Sequence, residues 1–213
     1  AVASRTKTSS LTWVSITASH CKASIRRSRD VTNPILPAPA SFPPERSERA
    51  QAPEFLAKRG LKLRWMRNTD LPWLRDLYAT TRSEEMRSMP WDAQTKRRFL
   101  NQQFALQHEH FVGHFSNADF LAIERERGKP IGRYYVTRGD PMHIVDIALL
   151  PEHRGRGIGT ALIEQTLAQA RDRDCGVLLH VVKANAQATK LYQHLGFTIQ
   201  GDVDSHWMMR WSP

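Results

Sequence analysis

The sequence predicts an α+β fold, with one compact domain of about 150 residues after an N-terminal extension. Three features support this prediction: a strand pattern followed by two helices, a central β-hairpin, and a final alternation of strands and helices without an internal repeat. A length of 213 residues accommodates such a domain with its extension and does not require two hydrophobic cores.

Residues 1–55 are predicted to form a disordered basic extension. They are rich in Ser, Thr and Arg, they hold Pro34 and several further prolines, and they lack a sustained apolar period. This composition overlaps with that of organelle transit peptides, but we expect a solvated tail. The folded domain is therefore assigned to residues 56–213.

The first predicted elements of the domain are a strand and two helices. Apolar residues alternate over residues 61–65, which indicates a strand, and Thr69 is the expected N-cap of the helix that follows. The apolar face of that helix consists of Leu71, Leu74, Leu77 and Tyr78. A second helix is expected after Asp92. Its regularly spaced positions include Phe99, Gln103, Leu106 and His110.

The rest of the domain is predicted to alternate between strands and helices. Two apolar runs, residues 120–124 and 131–136, flank a turn at 127–130 and indicate an antiparallel hairpin. The further expected elements are a strand at 142–150, a helix at about 160–173, a strand at 177–182, a helix at about 186–195, and strands near Phe197 and Trp207.

Composition and charge argue against several classes of protein. No apolar run approaches the roughly 18 residues of a membrane span, so we expect no contact with a membrane. The two cysteines, Cys21 and Cys175, match neither a disulfide framework nor a zinc motif, which favours a cytoplasmic location. Half of the net charge of +10 falls in residues 1–50, and no nucleic-acid-binding motif accompanies it, so a nucleic-acid partner is not favoured.

A glycine-rich turn between a strand and a helix is the most informative part of the sequence. It runs from Arg154 through Gly155, Arg156, Gly157, Ile158 and Gly159 to Thr160. Amides at a helix N-terminus lack intrahelical acceptors, so such a turn can bind phosphate. The turn has no lysine after its glycines, as a P-loop would, and it lacks the third glycine of a dinucleotide fingerprint.

Two ordered motifs instead resemble those of the GCN5-related N-acetyltransferase (GNAT) superfamily. The pattern Arg-x-x-Gly-x-Gly, formed by Arg154, Gly157 and Gly159, is similar to the acetyl-CoA signature of that family. The segment from Asn185 to Phe197 is similar to the family pattern Asn-x-x-Ala-x-x-Leu-Tyr-x-x-x-Gly-Phe. The resemblance covers residues 61–211 and does not extend to the N-terminal extension.

The resemblance implies a mixed, mostly antiparallel sheet of about six or seven strands flanked by about four helices. The sheet is expected to splay between the strands that end near Leu149 and Val182, and the first of these strands is expected to carry a bulge. Acetyl-CoA is the implied co-substrate, and no metal is implied. Its pantetheine arm would pair with the backbone of Ile147, Ala148 and Leu149. Its remaining implied contacts are Arg154, the amides of Gly155, Arg156, Gly157, Ile158, Gly159 and Thr160, and the side chains of Asn185 and Tyr192.

The implied reaction is direct transfer of an acetyl group to a primary amine, with the amide of Leu149 as oxyanion donor and Tyr192 as the acid. His180 and His143 stand where branches of the family place a catalytic glutamate, and both are candidates for the base or a water relay. Regular strand alternation places Asp146 on the opposite face from His143, which indicates a structural role. His110 and His114 are spaced i, i+4 on a predicted helix and could bind one metal ion together. No acid or cysteine completes a recognisable set of metal ligands with them.

Three functions therefore remain open from the sequence. The first is an N-acetyltransferase, an acyltransferase that acts on a small-molecule or peptide amine as a monomer or homodimer. The second is an acyl-CoA-binding sensor on the same fold without turnover. The third is a basic nucleic-acid-binding protein. Fold alone does not identify the amine acceptor.

Overall fold

The computed structural model describes residues 40–46, 50–125 and 128–213. Its strands are β1 (Leu61–Trp65), β2 (Asp119–Arg125), β3 (Pro130–Thr137), β4 (Met142–Leu149), β5 (Val177–Val182), β6 (Thr198–Val203) and β7 (His206–Trp211). Its helices are α1 (Glu54–Ala57), α2 (Leu71–Thr81), α3 (Ser83–Arg87), α4 (Ala93–His114), α5 (Ile158–Asp172) and α6 (Ala186–His194). The strands form one seven-stranded sheet in the order β1-β2-β3-β4-β5-β7-β6.

The predicted α+β fold is confirmed, including the mixed sheet. Every neighbouring pair of strands is antiparallel except β4 and β5, which are parallel. The parallel pair has only three residues in register, from Met142 opposite Val177 to Ile144 opposite Leu179. Beyond these residues β4 continues to pair with β3, and β5 continues to pair with β7. The sheet therefore splays between β4 and β5, as the family resemblance implied.

Val145 forms a β-bulge in β4. Tyr135 of β3 lies opposite Asp146, and the next residue, Val136, lies opposite Ile144, so that Val145 has no counterpart in the register. The extra residue shifts the alternation of side chains by one position. His143 and Asp146 consequently lie on the same face of the sheet, and the expectation that they lie on opposite faces is wrong.

The sheet separates two hydrophobic cores. One core lies between the sheet and helices α1, α5 and α6, and it contains the fully buried Leu56 and Leu162. The other lies between the sheet and helices α2 and α4, and it contains Leu74 and Phe104. Burial of apolar area on both faces stabilises β3 and β4, and β4 borders the splay.

Packing against the domain begins earlier in the chain than the sequence predicted. Phe42 is 8% exposed in the core beneath α4, and its amide donates a hydrogen bond to Asn68 Oδ1. His108 Nε2 lies 2.6 Å from the carbonyl oxygen of Ala40. For residues 40–46 and 50–55 the expected disorder is therefore wrong, because they make tertiary contacts. Residues 1–39 and 47–49 lie outside the described residues.

Two details of the predicted helices also differ from the structure. Asp70, not Thr69, is the N-cap of α2, because a 3-10 turn over Asn68–Asp70 precedes that helix. The carboxylate of Asp70 accepts two hydrogen bonds from Arg64. Asp92 caps α4 as expected. The buried face of α4 is however rotated from the predicted one, and Leu106 is 38% exposed.

Candidate active site

A cavity of about 850 Å³ opens where β4 and β5 separate. Its walls come from α4 on one side, from the two splayed strands, and from α6 on the other side. Five of the predicted site residues line it, namely His143, Ile147, His180, Asn185 and Tyr192. The glycine-rich turn does not line this cavity, and a 3-10 turn over Pro151–His153 connects it to the end of β4. The splay therefore brings three of the four predicted catalytic residues, His143, His180 and Tyr192, to one cavity, and Leu149 does not line it.

His143 and His180 form a pair across the splayed strands. His180 Nδ1 lies 3.3 Å from His143 Nε2, and the phenyl ring of Phe115 packs edge-on against His143. Burial, with a smaller contribution from the nearby His180, lowers the pKa of His143 to about 4. Burial also lowers the pKa of His180, with a smaller contribution from His206. Both imidazoles are consequently neutral at pH 7 and able to accept a proton.

Tyr192 lies on α6, the wall that faces these histidines. Burial raises the pKa of Tyr192 to about 12, and the charge of Asp146 contributes in the same direction. The hydroxyl is therefore protonated at neutral pH. Within the described part of the chain, it makes no side-chain hydrogen bond, which leaves it available as a proton donor to a group in the slot.

The backbone of β4 presents two of the three predicted residues to the slot. The amide of Leu150 donates to the carbonyl of Ile131 in β3, at 2.9 Å. Backbone groups alternate in direction along an antiparallel strand, so those of Ala148 also point toward β3. Those of Ile147 and Leu149 point the opposite way, into the splay. Ile147 and Leu149 thus have the orientation that pairing with an added strand requires, and Ala148 does not.

The glycine-rich turn forms an open cradle at the start of α5. Gly157 is the N-cap in a left-handed conformation with φ of 76°, and the first helical hydrogen bond runs from Ala161 to its carbonyl. Amides before Ala161 therefore lack intrahelical acceptors. Nothing stands within 4 Å of the position that a Cβ would take at Gly155 or Gly159. Such a cradle fits a diphosphate, because it combines free amides, the positive end of a helix dipole and open space.

Arg154 and Asn185 have partners within the protein. Arg154 Nε donates to the carbonyl of Leu149 at 2.8 Å, and Nη2 donates to Thr80 Oγ1 at 3.1 Å. Arg154 thus connects the end of β4 to α2. Asn185 Oδ1 accepts a hydrogen bond from the amide of Ala188 and so caps α6. Both side chains position elements of the site in this structure.

Phe55 supports the glycine-rich turn from below, which sequence reasoning missed. A Cβ at Gly157 would lie 3.1 Å from the ring of Phe55, so glycine is required there both for its φ and for this close approach. The guanidinium of Arg59 lies over the same ring, 3.6 Å from its centroid. Helix α1, which the sequence assigned in part to the extension, is therefore part of the site.

A row of polar side chains lies on the α4 side of the slot. Arg133 Nε donates to Asp146 Oδ2 at 2.6 Å, and Arg133 Nη2 donates to Gln107 Oε1 at 2.8 Å. Desolvation opposes charging of Arg133, but Asp146 outweighs it and the pKa of Arg133 is raised. A regular strand period does not place Asp146 in this row, because only the bulge at Val145 turns Asp146 toward the cavity.

Two further properties of the described residues bear on function. His110 and His114 stack at 4.1 Å between ring centroids, but no three His, Cys, Asp or Glu side chains in this part of the chain are grouped to hold a metal ion. No helix within the same residues has the length and apolar character needed to cross a membrane.

Comparison with known proteins agrees with this geometry. Residues 74–197 match the model of the acetyltransferase (GNAT) family. The chain is 43% identical over 70 residues to the mycothiol acetyltransferase of Thermobispora bispora, covering 32% of this chain and 20% of that protein. It is 42% identical over 68 residues to the streptothricin acetyltransferase of Streptomyces lavendulae, covering 32% of this chain and 36% of that protein.

The matched segments span only a fifth to about a third of the length of these two relatives. A solved structure, the PaiA N-acetyltransferase of Thermoplasma acidophilum in complex with coenzyme A, superimposes with a TM-score of 0.53 at 15% identity. The superposition covers 72% of this chain and 99% of that one, and it shows a shared fold. Because the family model spans more than half of the sequence, the chain belongs to the acetyltransferase (GNAT) family.

Proposed function

We propose that this protein transfers the acetyl group of acetyl-CoA to a primary amine by direct attack of that amine. The single observation that carries the proposal is the splay between β4 and β5. It brings two neutral histidines and a protonated tyrosine to one cavity beside the glycine-rich cradle. Membership of the GNAT family supports the same reaction.

The residues present fit the coenzyme. The amides from Gly155 to Thr160 would hold the diphosphate, and the backbone of Ile147 and Leu149 would pair with the pantetheine arm. When bound, acetyl-CoA supplies a thioester whose carbonyl carbon an amine can attack. The amide of Leu149 points into the splay, where it can donate a hydrogen bond to an oxygen that gains negative charge.

The histidine pair would remove a proton from the amine. An amine with an ordinary pKa near 10.4 is almost wholly protonated at pH 7, so attack requires a base or a desolvating site. His180 and His143 are neutral, and His206 lines the same cavity next to them. We assign the base to His180 and the relay toward solvent to its neighbours.

Tyr192 would supply the proton that the departing thiolate needs. In the complete reaction, the N–C bond forms and the C–S bond breaks. An ammonium acceptor loses two protons, of which one reaches the sulfur and the other leaves through the histidines. The raised pKa of Tyr192 keeps its proton in place until a strong base, such as a thiolate, forms beside it.

The test is release of free thiol from acetyl-CoA across a panel of primary amines, with the wild-type protein and Tyr192→Phe. We expect the variant to lose turnover by about 100-fold with unchanged affinity for CoA, a typical size for acid–base catalysis. Tyr134→Phe is the matched control, because that hydroxyl bonds to Thr166 of α5 and neither residue lines the cavity. Unchanged turnover in Tyr192→Phe would exclude the acid role. Binding of CoA without release of thiol in the presence of any amine would favour the acyl-CoA-binding sensor.

A further inference from the structure

Asp146 is a carboxylate held in one orientation at the cavity wall. Arg133, which is 4% exposed at its side chain, binds Asp146 Oδ2 from behind, and Gln107 holds the guanidinium in turn. The side chain of Asp146 keeps 22% of its surface exposed, and the residue lines the cavity, whereas Arg133 does not. Among the described residues, Oδ1 of Asp146 has no hydrogen-bond donor.

This arrangement presents a carboxylate oxygen to the slot. The neighbouring histidines are neutral, so they do not compete for it as cations. A ligand ammonium can therefore form a charge-assisted hydrogen bond to Oδ1, which is stronger than one between neutral groups. Asp146 lines the same cavity as Tyr192, His143 and His180, and its charge helps to raise the pKa of Tyr192. An amine bound there is consequently close to the reacting groups.

Exposed apolar side chains form part of the cavity lining, beside polar residues such as Glu109 and Asn185. Only three large hydrophobic residues of the described chain are strongly exposed, namely Leu106, Val182 and Ile199. Leu106 of α4 and Val182 of β5 both line the cavity, from different walls, and Val203 lines it too. Exposed apolar side chains in the lining of a cavity are typical of a binding site.

We propose that the acceptor is a primary amine with an apolar body, such as an arylalkylamine or the amino terminus of a peptide with an apolar first residue. Its ammonium binds Asp146 Oδ1, and its body lies between Leu106 and Val182. This assignment rests on the acetyl transfer proposed above. It makes Asp146 a determinant of acceptor specificity and Arg133 a positioning residue that fixes the carboxylate.

The experiment measures kcat and KM for thiol release with phenethylamine, a peptide amide that begins with leucine, and spermidine. We expect one of the two apolar amines to have a KM at least tenfold below that of spermidine, and the better of the two identifies the source. Asp146→Asn should raise that KM about tenfold and change kcat less than threefold. Asp172→Asn, an exposed position with the same change of charge, should leave both constants unchanged.

Asp146→Asn leaves Arg133 charged and buried without its partner, which can destabilise the fold. If the single variant is unstable, a double variant with Arg133→Gln and Asp146→Asn removes both charges and takes its place in the test. Leu106→Ser alters an exposed position and should raise the KM for the apolar amine about fivefold without loss of folding. An equal or lower KM for spermidine, or an unchanged KM in these variants, overturns the acceptor assignment and leaves acetyl transfer standing. Release of thiol by no amine overturns acetyl transfer itself.

Discussion

The two halves of the slot are built from different parts of the chain. The half proposed to hold the coenzyme uses main-chain groups of Ile147 and Leu149 and the amides of the glycine-rich turn. The half proposed to hold the acceptor uses side chains, including His143, His180 and Asp146. Main-chain groups can bind the coenzyme in any sequence that adopts the required conformation, whereas side chains can differ between proteins that share one fold. Specificity for the acceptor is therefore expected to depend on the side chains of the second half.

The same difference explains what could be predicted from the sequence. A main-chain site needs glycines at fixed positions, so Gly157 and Gly159 are visible in the sequence as a motif. The acceptor half depends on partners far apart in the chain, such as Gln107 with Arg133 and His143 with His180. No local sequence pattern predicts such pairs.

Two errors of the sequence analysis have the same origin. Asp146 faces the cavity because Val145 bulges from β4, and a regular period of two residues cannot reveal a bulge. Phe42 was assigned to a disordered extension because its neighbours are prolines and polar residues. Its burial depends on contacts with His108 and Phe120, which lie far along the chain. The order of strands and helices, by contrast, follows from local apolar periods and was predicted almost throughout.

The largest expected effect concerns the acceptor half and its histidines. The pKa of His143 is lowered from 6.5 to about 4, so between these values the unfolded chain binds a proton that the folded protein does not. The free energy of unfolding should therefore fall as the pH falls through this window, by about 3 kcal/mol from this residue. Above pH 6.5, the contribution of His143 to the free energy of unfolding should not change with pH.

Denaturant unfolding at a series of pH values compares the wild-type protein with His143→Gln. The variant should lose that part of the pH dependence. His194→Gln, at an exposed position of α6, is the matched control and should retain it. An identical pH dependence in His143→Gln and the wild-type protein would show that His143 is not buried as a neutral imidazole.

The second effect is on turnover in the same half. His180→Gln should lower kcat for an amine by about 100-fold, since a general base contributes at least this factor in many enzymes. The affinity for CoA should not change, because the coenzyme half consists of main-chain groups. Steady-state kinetics and calorimetry measure the two quantities, with His194→Gln again as the control. A variant that loses CoA binding and turnover together would contradict the division of the slot into two halves.

The smallest of the three effects concerns the coenzyme half. Gly157→Ala places a Cβ against Phe55 and forces a left-handed conformation on alanine, which costs roughly 1–2 kcal/mol. The Kd for CoA should rise about tenfold or more, because the cradle must distort. Gly139→Ala is the control, since that glycine is exposed and a Cβ there meets only Pro141, at 3.7 Å. Equal affinity in both variants would show that the turn does not bind the diphosphate.

The most direct test of the account is a titration of CoA into the full-length chain, followed by calorimetry and by the melting temperature. One CoA should bind per chain, the melting temperature should rise with ligand concentration, and both effects should be weaker in Gly157→Ala. A folded protein that shows neither heat of binding nor a rise in melting temperature with CoA would contradict it.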